Sequence, residues 1–174
     1  MTRSLMCFVA LLMISLGHVT DARAGSKVIQ LSLVPSIQIF DETTDIGGVR
    51  IMIYGQNRNV TGLDFGLGGR VTGDFVGLQW MIVGLIDGVG KGWQSNYAYN
   101  RAGTFYGIQS GVVNQGDDMT GFQLGFVNYN RRMSGFSLSI VNYAEELDGL
   151  QIGLLNIAKN AKGHSILPIV NWVF

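Results

Sequence analysis

His164 is the residue type suited to moving protons near neutral pH, and a serine hydrolase built on it would need a serine nucleophile and a carboxylate held beside the ring. His164 follows Gly163 at the start of an expected strand, so it is read as a surface or interfacial residue. The carboxylates Asp117, Asp118, Glu145, Glu146 and Asp148 have the chemistry for calcium. They fall in different connections without the repeated aspartate spacing of calcium-binding rolls, and the expectation is solvated turns and no metal. The Gly66–Gly69 run and Gly88-Val89-Gly90 are not followed by a helical pattern, as a phosphate loop would be. Arg50, Asp64 and Arg70 are the charges of most interest: inside a barrel they are candidate lumen charges that pair or select solutes, and on a solenoid they are surface residues. No catalytic residue, cofactor site or small-molecule ligand is identified, and the chain is expected not to be an enzyme.

The first segment reads as a secretory leader. Arg3 lies in a short basic start, an apolar stretch runs from Leu5 to Leu16, and Ala22-Arg23-Ala24 precedes Gly25 as a small-residue cleavage site. The apolar stretch is shorter than the about 20 residues that span a bilayer. The expected organisation is a signal peptide over 1–24 and one β-repeat domain over 25–174. Cys7, the single cysteine, would leave with the leader, and with it any disulfide or thiolate chemistry. Lysines and arginines equal aspartates and glutamates at 12 each, which gives no electrostatic footprint for nucleic acid.

What must position any of these residues is a repeat. Gly107, Gly121, Gly135, Gly149 and Gly163 stand fourteen apart, and the segments read GIQSGVVN, GFQLGFVN, GFSLSIVN and GLQIGLLN, closing on Asn114, Asn128, Asn142 and Asn156. Gly92, Gly77 and Gly62 continue the series at fifteen, and Gly48 precedes Gly62 by fourteen. Nine units therefore fill 48–174, preceded by a first strand at 28–40. A period this short holds no helix pair, and glycine among Val, Ile, Phe and Tyr favours strand.

Residues in each unit alternate with period two. One face carries large apolar groups, as in Leu78, Trp80 and Ile82 or Phe122, Leu124 and Phe126. The other carries Gln79, Gln94, Gln109, Gln123 and Gln151 at one level and Gly66, Gly111, Gly125 and Gly153 at the next. The pattern fits an antiparallel β-meander closing into a small outer-membrane barrel of about ten transmembrane strands, with the apolar groups in lipid. Trp80, Trp93, Tyr97, Tyr99, Tyr129, Tyr143 and Trp172 would then supply aromatic girdles. The same pattern fits a β-solenoid with fourteen to fifteen residues per coil, the apolar face inside, the glutamines outside and the asparagines in a ladder. Periodicity alone does not separate them. The apolar ending, with Trp172 and Phe174 as a candidate assembly signal, weighs toward the barrel, whose partners would be outer-membrane lipid and the barrel-assembly machinery.

The units, with the ending Pro168 to Phe174, resemble the Gly-Leu-Gln-x-Gly-Leu-x-Asn surface-repeat proteins of Gram-negative bacteria. The resemblance covers nearly all of 25–174 and is clearest from Gly107 onward. It implies a cell-envelope protein of the outer membrane or cell surface and carries no known activity or catalytic residues; the structural or narrow-channel role is the expectation from the barrel reading, and a structural or binding module from the solenoid reading.

Overall fold

The computed structural model describes residues 25–174; the expected leader over 1–24, Cys7 included, lies outside the described residues. The period has its origin in one glycine per repeat. Gly62, Gly77, Gly92, Gly107, Gly121, Gly135 and Gly149 adopt φ between 121° and 144°, a region that side chains oppose. A Cβ at any of them would stand 1.9–2.3 Å from the carbonyl oxygen of the glycine one repeat earlier. Both the backbone bend and the stacking of the chain on itself exclude every other residue there.

The elements are β1 (Lys27–Val34), β2 (Ile37–Gln38), β3 (Ile46–Asn57), β4 (Val60–Val71), β5 (Phe75–Leu138), β6 (Val141–Ala158) and β7 (Ile166–Val173), ordered β2-β1-β3-β4-β5-β6-β7. Successive repeats pair in parallel and in register, with Gly48 against Gly62, Gly62 against Gly77 and Gly135 against Gly149. The result is a β-solenoid of about eight turns with about 14 residues per turn. The long β5 winds continuously through several of them.

This corrects the barrel of antiparallel strands. A meander needs each connection to reverse the chain, whereas QGDD, YNRR, YAEELD and the start of NIAKN continue as strand along the second limb of the coil. The apolar-inside solenoid is corrected as well: the glutamines point inward and the large apolar groups outward. The unit from Gly163 is not a coil, since β7 turns back and pairs antiparallel with β6, Leu150 opposite Trp172 and Ile152 opposite Val170. The segment 28–40 is not one strand either. It breaks at Pro35-Ser36, where β2 folds back antiparallel on β1 while β1 itself stacks in parallel on β3.

Inside the coils lies a core divided lengthwise. Its apolar part includes Ile46, Val60, Phe75, Phe105, Met119, Met133 and Leu147, one from most turns, with Val71, Ile86, Ala102, Ala144 and Ala158 beside them. The remainder of the interior is polar and lies directly behind the outward apolar groups.

Candidate association face and the polar columns behind it

Because alternate residues of a strand point to opposite sides, each coil that sends a glutamine inward sends its two neighbours outward. Over β1, the coil strands and β7, these outward positions form one continuous face. It carries Ile51 and Ile53, Trp80 and Ile82, Trp93 and Tyr97, Phe122 and Phe126, Leu138 and Ile140, and Leu154, and all are exposed. Trp80 is 64% exposed and Tyr97 77%. All three tryptophans of the chain, Trp80, Trp93 and Trp172, stand on it. No charged side chain occupies these outward positions among the described residues. The polar side chains at its middle satisfy one another: Trp93 Nε1 donates to Ser110 Oγ at 3.1 Å, and Ser110 Oγ to Ser95 Oγ at 3.0 Å.

Behind the face, buried amides stack with the coil period. Gln94 Nε2 donates to Gln79 Oε1 at 2.9 Å, Gln109 to Gln94 at 2.7 Å and Gln123 to Gln109 at 2.9 Å. The column starts on an ion pair. Arg50 and Asp64 are wholly buried and meet through two bonds, Nε to Oδ1 at 2.8 Å and Nη2 to Oδ2 at 2.7 Å. Asp64 Oδ2 also accepts from Gln79 Nε2 at 2.9 Å. An ionised carboxylate only accepts, so Asp64 turns the amide nitrogen of Gln79 toward itself, and each later glutamine follows.

An asparagine column runs the other way. Asn100 Nδ2 donates to Asn114 Oδ1 at 2.7 Å, Asn114 to Asn128 at 2.8 Å, Asn128 to Asn142 at 3.1 Å and Asn142 to Asn156 at 2.8 Å. Its direction is set by backbone carbonyls, which only accept: Asn114 also donates to Leu124 O and Asn142 to Ile152 O. The two rows of amide dipoles thus oppose each other along the solenoid.

The predicted lumen charges separate. Arg50 and Asp64 are interior, and Gly69 leaves room for the guanidinium, since a Cβ there would stand 3.3 Å from Arg50 Nη2. Arg70 is outside, paired with Asp87 at 2.8 Å. A solenoid surface position holds for Arg70 and not for the other two. Asp118 faces Arg131 and Arg132 of the next coil. The hydrogen bond from Arg132 holds the Asp118 carboxyl below its ordinary range, with partial burial opposing. Asp148 accepts from Ser134 at 3.4 Å, and no group of three metal-ligating residues occurs among the described residues.

His164 Nε2 lies 3.2 Å from the carbonyl oxygen of Trp172. The expected girdle divides: Trp80, Trp93, Tyr97 and Trp172 belong to the apolar face, whereas Tyr129 and Tyr143 stack at 4.7 Å on the second limb, with Lys159 Nζ 5.2 Å from the Tyr143 ring centroid. Trp172 sits on β7 at the end of the face, followed by Phe174, which is 93% exposed. Comparison of the chain with protein-family models, with curated proteins and with solved structures finds no match.

Proposed function

We propose that the protein is an exported, non-catalytic β-solenoid of the Gram-negative cell envelope, a structural or binding module whose association surface is the apolar face. The observation that carries this reading is the absence of charge over a continuous outward face rich in Trp, Phe, Leu and Ile. Soluble monomers seldom expose apolar patches beyond a few hundred Å2, and larger ones mark contact surfaces. The leader-like start and the resemblance of the units to Gram-negative surface repeats supply the compartment. The buried side chains serve the fold: the ion pair and amides are engaged with one another, which leaves the outer face to carry recognition.

Expression of the full chain in a Gram-negative host tests this. The expected product is shortened by the leader, found in the envelope or at the surface, and migrates in a native gel as part of a complex. The double variant Leu124→Glu, Phe126→Lys places two charges on the face and is expected to migrate as free, folded chain. A product retained in the cytoplasm, or a variant that migrates like the parent, would falsify the reading.

A further inference from the structure

We infer that the apolar face is covered by a second copy of this chain, forming a two-fold, face-to-face dimer; the inference rests on the association surface proposed above and names its occupant. Size comes first. With β1, about eight coil strands and β7 spaced about 4.8 Å apart, and five residues of each about 3.3 Å long, the face measures about 700 Å2. A standard specific interface buries about 800 Å2 per partner. Charge comes second. A lipid surface is best held by an apolar face with a basic border, but the residue before each coil glycine, which borders the face, is charged only at Lys91 and Asp148, one cation and one anion. An uncharged, rigid sheet face is matched by another of the same kind, packed as two sheets about 10 Å apart.

Third, the face is self-complementary about its own middle. Ser95 and Ser110, the small residues of the face, lie on adjacent coils with as many strands before them as after. A two-fold axis along the strands at this point sets β1 and β3 of one copy against β6 and β7 of the other. The first end carries a cleft of about 790 Å3 lined by Leu31, Leu33, Ile37, Ile39, Ile51 and Ile53. The opposite end, on the same side of the face, carries a smaller cleft of about 420 Å3 lined by Phe126, Leu138, Ile140, Leu154 and Ile169, so exposed apolar side chains of one end meet exposed apolar side chains of the other. Symmetry makes this contact twice, as an isologous interface requires.

Sedimentation equilibrium of the exported, purified chain without detergent tests the inference, with twice the chain mass expected. Leu124→Glu, Phe126→Lys is expected to weaken association at least about 100-fold, with unchanged far-UV circular dichroism, and Arg131→Glu on the other limb to leave it intact. In a Cys7→Ser background, Ser110→Cys is expected to be joined between copies by a bismaleimide that spans the about 11 Å separating the two positions, and Tyr129→Cys on the second limb is not. A chain that is monomeric at about 100 μM, a monomer that floats with neutral phosphatidylcholine vesicles, or a dimer that survives the charged variant each overturns it. If the native complex of the exported chain dissolves on charging the face yet contains a single copy, the association surface stands and the dimer falls. If no complex forms at all, both fall.

Discussion

Asp64 holds two donors at once, the Arg50 guanidinium and the Gln79 amide, in a site from which water is excluded. Removing one partner of a buried pair leaves an uncompensated charge, which costs more than the pair contributes net. Asp64→Ala is therefore expected to lower stability by about 3–5 kcal/mol, measured by urea unfolding; a loss under about 1 kcal/mol would mean that the column is not anchored there. The opposite experiment is available one stretch along. Ser137 stands where neighbouring coils have glutamine, so the Gln column is interrupted, and buried Gln151 Oε1 and Ser139 Oγ have no hydrogen-bond partner. The double variant Ser137→Gln, Ser139→Gly restores the Gln-x-Gly pattern of the coils on either side. It is expected to raise the melting temperature, by about 1–2 kcal/mol of stability, because the new amide continues the column, donating to Gln123 Oε1 and accepting from Gln151 Nε2, and an orphaned hydroxyl disappears. An unchanged or lower melting temperature would show that the column fills space and does not hold the coils.

At the scale of one coil, the glycine spacing was legible because it reflects a local backbone demand. Gly107 has φ 135°, and a Cβ there would lie 2.0 Å from Gly92 O. Gly107→Ala combines a disfavoured backbone conformation with a clash against backbone and is expected to cost about 3 kcal/mol or more. Thermal melts measure it, and Gly163→Ala, where a Cβ meets nothing within 4 Å, separates the clash from the backbone contribution. The direction of each face was not legible. A period of two assigns residues to two faces without saying which is inside, and the general preference for burying apolar groups points the wrong way here. Gln94 and Asn114 are tolerable inside because each meets its own kind fourteen or fifteen residues away, in a contact that exists only once the coils stack in parallel. The Asn114 to Asn156 ladder was foreseen for a solenoid, since asparagines at a fixed level can bond along the axis. Arg50 and Asp64 carry the same lesson: fourteen apart, they become direct neighbours only when one coil lies on the next.

The whole molecule must also end its stack. Each coil offers a full row of backbone donors and acceptors to the next, so an uncovered last coil is a template for another chain. At the carboxyl end β7 meets that demand by reversing direction: it pairs with β6 from Gly149 to Ile157, with a register shift between Gly153 and Asn156. Asn171 is fully buried and donates to Asn156 O at 3.4 Å, while Val173 packs on the apolar core. An antiparallel strand with Pro168 and an irregular register is a poor template for a parallel coil, so it stops propagation where a ninth coil would continue it. Deleting 166–174 uncovers β6 without removing any coil. The expected result is a chain that retains its β-sheet circular dichroism but grows into larger particles, seen as rising light scattering and thioflavin fluorescence that increase with concentration. Growth by strand addition at the last coil should survive Leu124→Glu, Phe126→Lys, whereas aggregation through the apolar face should be suppressed by it. A truncated chain that stays the size of the parent would show that β7 is an accessory to the face and not the cap of the stack.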